Sequence, residues 1–348
     1  MQINTTDAQA LFTKKIVDVY AERPKPTSFL RSFAKVVESP TKEVSIEVQR
    51  GTEKVSVDVV RGTDGIRNQT ALSSEKIFIP PYHREYFDIT QLQLYDRLFG
   101  ATTIDDSMFA MLINSIADQT MLLQNKIERA IELQIATVFT NGTLNIESGT
   151  DINFKRKSTS IVDLGSGQYF TSAIDPFAKI EAGCTFIRTK GKAQGGTYNA
   201  IFGTQAWAAF LANSDFQSRQ NLVNMSLDSV NPPQRNAIGG VYHGQITCGS
   251  YKVNCWTYPE YYDTATASNI AYIPETKVIL LPENPKFVMN YAAVPQLINP
   301  GVAPKVGAFI VSDYIDQKAK THEVHVESAP LFVPTAIDQI YTMKVVGG

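Results

Sequence analysis

The sequence predicts an α+β fold organised around one very long helix. Three observations indicate this fold: an uninterrupted helical pattern over residues 105–140, alternating strand patterns before it, and a strand-rich C-terminal half. The chain has 348 residues, of which 43 % are hydrophobic, so it is long enough for a sizeable core and for more than one domain. We therefore expect arms and sheets attached to a helical spine.

Composition argues against several classes of protein. Charged residues make up 19 % of the chain and the formal net charge is −2, so no general attraction to nucleic acid or acidic membranes is expected. No apolar run approaches the ~20 residues that span a bilayer, and the N-terminus lacks the pattern of a secretion signal. The cysteines are few, odd in number and spaced unlike a zinc site, which predicts free thiols: Cys184, Cys248 and Cys255.

Residues 1–40 are predicted to form an N-terminal arm. A short helical pattern from Asp7 to Tyr20 is followed by Pro24 and Pro26, which stop a helix. Three apolar side chains beyond the prolines need a surface, either elsewhere in the fold or on a neighbouring subunit: Phe29, Leu30 and Phe33.

Residues 41–85 are predicted to contain strands and an extended loop. Val44, Ile46 and Val48 alternate with polar residues, as in a half-buried strand, and residues 54–80 read as a long hairpin with a polar tip at 61–74. Such a hairpin would reach roughly 40 Å, and a two-stranded hairpin alone in water is marginal at best. Something else must therefore cover it, which is the first sign of a polymer-forming subunit. Its charged candidates for contacts between subunits are Arg61, Asp64, Arg67 and Glu75.

The spine helix is predicted from Asp105 or Asp106 to Thr140, a stretch without Gly or Pro. Asp105, Asp106 and Ser107 are N-cap candidates, and Gly142 is a natural C-terminal stop. About 35 residues correspond to roughly 50 Å of helix. Two helices broken near residues 119–120 are the alternative. One apolar stripe follows the helix: Phe109, Ile113, Ile116, Leu123, Ile127, Ile131, Ile135 and Val138.

The remaining chain predicts a second helix, an α/β region and closing strands. Asp175 and Pro176 begin the helix and Gly191 ends it, with Cys184 on its buried face. Residues 192–305 read as a compact second domain with a strand at 199–202 and a helix that buries Trp207 and Phe210. The tail returns to strands in HEVHV and IYTMKVV.

We find no group of residues that predicts catalysis, a cofactor or a metal site. His322 and His325 are three apart in a predicted strand, so their imidazoles point to opposite faces and cannot share one ion. His83 and His243 have no visible partner. The glycines of residues 189–197 do not precede Lys-Ser or Lys-Thr as in a phosphate loop, and they predict a helix end and a connector.

Taken in order, these stretches resemble the major capsid proteins of tailed bacteriophages, which share the Hong Kong-97 fold, and more narrowly the lambda-like phage capsid E family. The resemblance covers nearly the whole chain. Four stretches carry it: TSFLRSF followed by TKEVSIEV, the hairpin DVVRGTDGIRNQTALSSEKIFIPPYHREYFDI, the strand–turn–helix AIFGTQAWAAF, and VESAPLFVPTAIDQIYTMKV. The chain departs from the lambda-like branch in longer loops around 143–170 and 225–240.

The resemblance implies a peripheral domain of residues 86–191 and 306–348, which includes the spine helix, and an axial domain of residues 192–305. It also implies hexamers and pentamers that tile an icosahedral head around packaged double-stranded DNA, with the extended loop lying over the adjacent subunit. Portal, scaffold and decoration proteins are candidate partners, and assembly in the host cytoplasm is expected. We match no pair of side chains for a covalent cross-link between subunits.

Two other classes remain open at this point. A cargo-enclosing nanocompartment shell would use the same fold and differ in what fills the shell. A metal-dependent hydrolase would use the tail histidines, and zinc analysis would reveal it.

Overall fold

A computed structural model describes most of the chain, including the long helix, the sheets and the C-terminal strands. The described residues are 26–49, 73–90, 106–146, 151–171, 174–221, 234–235, 238–298, 301–316 and 321–347. None of the helices in these ranges is long and apolar enough to cross a membrane.

The longest element is helix α1, Asp106–Asn141, which contains 36 residues. It runs without a break through residues 119–120, so the alternative of two shorter helices is wrong. At 1.5 Å per residue its length is about 54 Å. The C-terminal part of the predicted stripe lies in the core: Ile127, Ile131, Ile135 and Val138. The side chains of Phe109, Ile113 and Ile116 lie outside the described residues, as does Asp105.

Helix α1 ends at the predicted glycine. Gly142 has a φ of +73°, and its N–H donates to the carbonyl of Val138 at 2.9 Å. A Cβ at this position would lie 2.7 Å from the Cβ of Arg156. Both the backbone conformation and the close approach of Arg156 therefore require glycine here.

A seven-stranded mixed sheet forms the centre of the C-terminal half. Its strands are Ile161–Asp163 (β7), Thr197–Phe202 (β8), Gln234–Arg235 (β9), Val241–Cys248 (β10), Tyr251–Thr257 (β11), Lys277–Pro282 (β14) and Tyr341–Lys344 (β21). They lie in the order β7-β21-β14-β8-β11-β10-β9. Strand β21, the last in chain order, therefore lies between β7, the first of these strands in chain order, and β14.

Helix α2, Pro176–Thr189, packs on this sheet and begins as predicted. The backbone N–H of Phe177 donates to Asp175 Oδ1 at 2.9 Å, and Pro176 occupies the first turn. Cys184 is fully buried on the inner face, and all three cysteines are free and buried. Two short helices follow, Thr204–Ala212 (α3) and Ser214–Asn221 (α4). Phe210 of α3 is fully buried, and Trp207 packs partly buried against the same core.

Two three-stranded sheets contact helix α1. The first consists of Lys35–Ser39 (β1), Phe287–Ala292 (β15) and Pro330–Pro334 (β20), in that order. The second, in the order β18-β19-β4, consists of Ile310–Asp316 (β18), Thr321–Ser328 (β19) and His83–Thr90 (β4). The strand prediction for HEVHV is confirmed by β19. Neither β1 nor β20 was predicted. For β20 the reason is that the strand begins and ends at proline, which usually interrupts strands.

Strands β2 (Val44–Gln49) and β3 (Ser73–Phe78) pair antiparallel at the base of the predicted hairpin, whose residues 50–72 lie outside the described residues. The predicted start of this hairpin at residue 54 is therefore wrong, because the returning strand pairs with residues that precede it. Three further strand pairs complete the described structure: Thr143–Leu144 with Ile152–Asn153 (β5, β6), Tyr261–Tyr262 with Ile270–Ala271 (β12, β13), and Val294–Ile298 with Gly301–Lys305 (β16, β17).

Candidate assembly surface

The base of the extended hairpin has one covered face and one uncovered face. Val44 is buried, and the ring of Phe78 lies 5.7 Å from the ring of Phe154. On the other side Ile77 is 62 % exposed, and Ile79, two residues further along, is 57 % exposed. Two large apolar side chains this accessible within three residues make this stretch a candidate contact surface.

Of the four charged candidates in the hairpin, only Glu75 falls within the described residues. It lies on β3 directly opposite Glu47 of β2. The side chains of both glutamates lie outside the described part of the chain. Arg61, Asp64 and Arg67 lie outside the described residues, so the structure does not bring the four together.

The three apolar candidates of the predicted arm lie inside the chain's own core. Phe29 and Leu30 are buried, and Phe33 packs against the same cluster. The ring of Phe29 lies 5.3 Å from the ring of Phe33 and 5.4 Å from each of the rings of Trp256 and Tyr258. The surface that these side chains require is therefore elsewhere in the fold, and residues 26–33, which we call the base segment, are part of the core.

Glu132 of helix α1 attaches the base segment to the helix. Its Oε1 accepts the backbone N–H of Leu30 at 2.6 Å and the hydroxyl of Tyr258 at 3.1 Å, and its Oε2 accepts the N–H of Arg31 at 3.3 Å. The side chain is only 2 % exposed, and burial raises the pKa of Glu132 to about 7 despite these donors. The hydroxyl of Thr27 in turn hydrogen-bonds to that of Tyr258.

A second buried carboxylate, Glu327 of β19, holds the exit of the hairpin. The hydroxyl of Tyr82 donates to Glu327 Oε1 at 2.8 Å, and Arg84 Nε lies 3.1 Å from the same oxygen. Gln296 of β16 donates to the other oxygen. The chain that leaves the hairpin is thus connected to the C-terminal strands and to the β16–β17 pair.

His325 belongs to this polar group and not to a metal site. Its Nδ1 accepts a hydrogen bond from Arg84 Nε at 3.2 Å, so Nε2 carries the proton and donates to Glu323 at 2.9 Å. The ring stacks on Tyr86 at 5.1 Å. Both ring nitrogens are occupied, and within the described ranges no three His, Cys, Asp or Glu side chains are grouped as metal ligands would be.

Two other histidines whose side chains are described also have structural surroundings. His243 Nε2 lies 2.8 Å from Thr257 Oγ1, and the ring stacks on Trp207 at 4.4 Å, so His243 does have partners that the sequence did not reveal. Burial lowers the pKa of His243 and of His83, although Glu85 opposes this effect at His83.

The buried carboxylates Glu132 and Glu327 were not among the predicted candidates. A signal for Glu132 is present in the sequence, since it directly follows Ile131 and precedes Ile135 in the apolar stripe. A charge at such a position is either solvated or satisfied by hydrogen bonds, and only the structure shows the second.

Comparison with solved structures shows which fold this is. The chain is similar to a structure described as a prophage capsid protein from E. coli CFT073, with 15 % identity, a TM-score of 0.60, and coverage of 99 % of this chain and 100 % of that one. It is also similar to the mature capsid of bacteriophage PhiM1, with 8 % identity, a TM-score of 0.53 and coverage of 94 % and 90 %. A phage-related protein of Bordetella bronchiseptica RB50 matches with 12 % identity, a TM-score of 0.50 and coverage of 92 % of each chain.

These similarities define the class: the chain has the Hong Kong-97-type capsid fold. The family assignment comes from the sequence, because residues 13–345 match the family described as Phage major capsid protein E. The chain belongs to this family and is a major capsid protein that assembles with itself into an icosahedral phage shell. It is a structural protein and not an enzyme, so the hydrolase alternative is wrong. Comparison with curated proteins gives no match.

Proposed function

We propose that this subunit forms hexamers and pentamers of a phage head that encloses double-stranded DNA, and that the extended hairpin of each copy lies on the adjacent copy. The observation that carries the proposal is the uncovered apolar face at the hairpin base, where Ile77 and Ile79 are 62 % and 57 % exposed. Burying a side chain of this size contributes roughly 1.5–3 kcal/mol, and the gain is repeated at every subunit of a closed shell.

The charges of the hairpin support the same arrangement. Glu47 and Glu75 occupy opposite register positions on β2 and β3, and a cationic group from a neighbouring copy would complement two acidic residues there. Arg61 and Arg67 are the cations of the tip. We propose that these residues, with Asp64, make polar contacts between subunits.

Substitution of the two exposed isoleucines tests the proposal. Ile77→Asp with Ile79→Asp places two charges on the contact surface, and we expect the yield of closed shells to fall at least about tenfold, since 1.4 kcal/mol already corresponds to tenfold. Shells are counted by negative-stain electron microscopy and by sedimentation. The matched control, Ile77→Leu with Ile79→Leu, keeps the apolar area and is expected to assemble.

The outcome is decisive only if the variant subunit is folded. Both side chains are exposed, so thermal unfolding of the unassembled double Asp variant is expected to resemble that of the original chain. Normal shell yield from this folded variant contradicts the proposed role of the hairpin base.

We further propose the division of the subunit into an N-terminal arm (1–40), strands and extended loop (41–85), a peripheral domain (86–191 with 306–348) and an axial domain (192–305). Two separate hydrophobic cores support a subunit of more than one domain, but both cores cross these bounds: the core beneath helix α2 also contains Phe202 and Val253, and the core that includes helix α1 also contains Phe287. Because Phe29 and Leu30 lie in the first core, we confine the proposed arm to the residues before Pro26.

The contents of the shell distinguish a phage head from a nanocompartment. We propose DNA as the content, held without sequence specificity, with assembly in the host cytoplasm and with portal, scaffold and decoration proteins as further partners. Shells purified from the phage-producing host are expected to contain nuclease-protected double-stranded DNA. Shells filled instead with one protein would favour the nanocompartment.

A further inference from the structure

Glu132 lies where three parts of the chain meet, and its hydrogen bonds are unequal. Oε1 accepts the two shorter bonds, from the N–H of Leu30 at 2.6 Å and the hydroxyl of Tyr258 at 3.1 Å. Oε2 accepts only the N–H of Arg31, at 3.3 Å. A proton on Oε2 therefore disturbs the longest of the three bonds and leaves the other two in place.

The charged and titratable groups around Glu132 do not neutralise it directly. The Arg31 guanidinium, which favours the ionised form, is 3.9 Å from Glu128, one turn earlier on helix α1. The groups facing this site come from the base segment, from helix α1 and from the residues after β11: Arg31, Glu128, Arg129, Tyr258, Glu260, Tyr262 and Tyr272. Within the described residues the carboxylate of Glu132 is thus removed from water without a close ion-pair partner, which is costly.

We propose that Glu132 makes the attachment of the base segment, residues 26–33, to helix α1 dependent on pH near neutrality. At mildly acidic pH Glu132 is protonated and the base segment is held firmly. At higher pH the carboxylate ionises, and release of the segment, which exposes the charge to water, becomes more favourable. If the chain forms the proposed shell, the base segment is the point where the preceding 25 residues join the capsid core.

The direction of this pH dependence follows from the pKa of the carboxyl group in the attached and the released state. With the segment attached the pKa of Glu132 is about 7, whereas a solvated glutamate has an ordinary value of 4.5. The attached state therefore binds protons more readily. Its extra stability is fully present below pH ~4.5 and is lost as the pH rises through ~7.

Hydrogen exchange of the backbone amides of Leu30 and Arg31 in the full, unassembled chain tests the inference. After correction for intrinsic exchange rates, these two pKa values predict an opening equilibrium that increases about thirtyfold between pH 5.5 and 8.5. Glu132→Gln keeps the side chain neutral at every pH, so protection is expected to stay near its mildly acidic level and to lose its pH dependence. Glu128→Gln, the matched control on the same helix, is expected to retain it.

A second variant keeps the test valid if Glu132→Gln does not fold. Tyr258→Phe removes one donor that favours the ionised form, so the midpoint of the pH dependence is expected to move upward. Protection that does not change between pH 5.5 and 8.5 in the original chain overturns the inference, as does a full pH dependence in folded Glu132→Gln. Because exchange within one subunit is measured, failure here leaves the proposed shell assembly untouched.

Discussion

At the scale of single residues, Arg156 connects three parts of the chain through one guanidinium. It donates to the carbonyl of Phe139 at the end of helix α1 at 2.7 Å and to the carbonyl of Ile340 at 3.1 Å. It also donates to Ser160, through its hydroxyl and its carbonyl, and to the hydroxyl of Thr342. Burial lowers the pKa of Arg156 to about 9, and Asp338 is the nearby charge that opposes this effect.

Arg156→Ala is expected to lower the free energy of unfolding by at least about 3 kcal/mol, because several buried acceptors lose a charged donor together. The measurement is urea unfolding of the unassembled chain. The neighbouring Lys157→Ala is the control: its ion pair with Asp338 involves a side chain that is 45 % exposed, so less than about 1 kcal/mol is expected. Equal losses in the two variants would show that Arg156 does not connect these elements.

At the scale of elements, a side chain of helix α1 forms hydrogen bonds with the backbone of β20, at the edge of its three-stranded sheet. Gln134 is buried, accepts the backbone N–H of Phe332 at 3.0 Å and donates to the carbonyl of Pro330 at 3.3 Å. The amide group thus takes the place of a neighbouring strand along β20. This explains how a strand that begins and ends at proline is accommodated, since its open edge faces a helix.

Gln134→Leu is expected to leave that N–H and that carbonyl without partners at a cost of about 1–3 kcal/mol. Hydrogen exchange of the Phe332 amide should accelerate together with the loss of global stability. Gln119→Leu changes an exposed position of the same helix and should alter neither quantity in the unassembled chain. An unchanged Phe332 amide in Gln134→Leu would contradict this account of the sheet edge.

At the scale of the whole molecule, the tip of the hairpin is expected to act only between copies. Reversing the charges with Arg61→Glu and Arg67→Glu should lower the yield of shells without changing the unfolding of the unassembled subunit. The reason is that contacts made between copies do not contribute to the isolated fold. Arg61→Lys with Arg67→Lys retains the charges and should assemble more fully, and unchanged particle yield after charge reversal would refute the role of these residues.

Much of the architecture was predictable because it depends on local patterns. The absence of Gly and Pro over residues 106–140 and the apolar spacing of three and four correctly predicted α1, and Asp175 with Pro176 predicted the start of α2. These signals work because a helix satisfies its hydrogen bonds within one stretch of chain.

Pairing between distant segments was less accessible to sequence analysis. The register of β3 with β2 was missed because two preceding stretches alternate, Val44 to Val48 and Val55 to Val59, and either was a reasonable partner for the returning strand. The base segment was assigned to an arm because its apolar residues are few. In the structure their surface is supplied by Trp256 and Tyr258, more than two hundred residues further along the chain.

The sequence by itself therefore determined the spine helix, the alternating strands, the order of elements and the resemblance to phage capsid proteins. Only the tertiary structure decided which apolar surface stays uncovered at Ile77 and Ile79, and that Glu132 and Glu327 are buried and fully hydrogen-bonded. The physical reason is that local patterns determine hydrogen bonding within an element. The exposure of an apolar face, or the partners of a buried charge, depend on which distant residues arrive beside it.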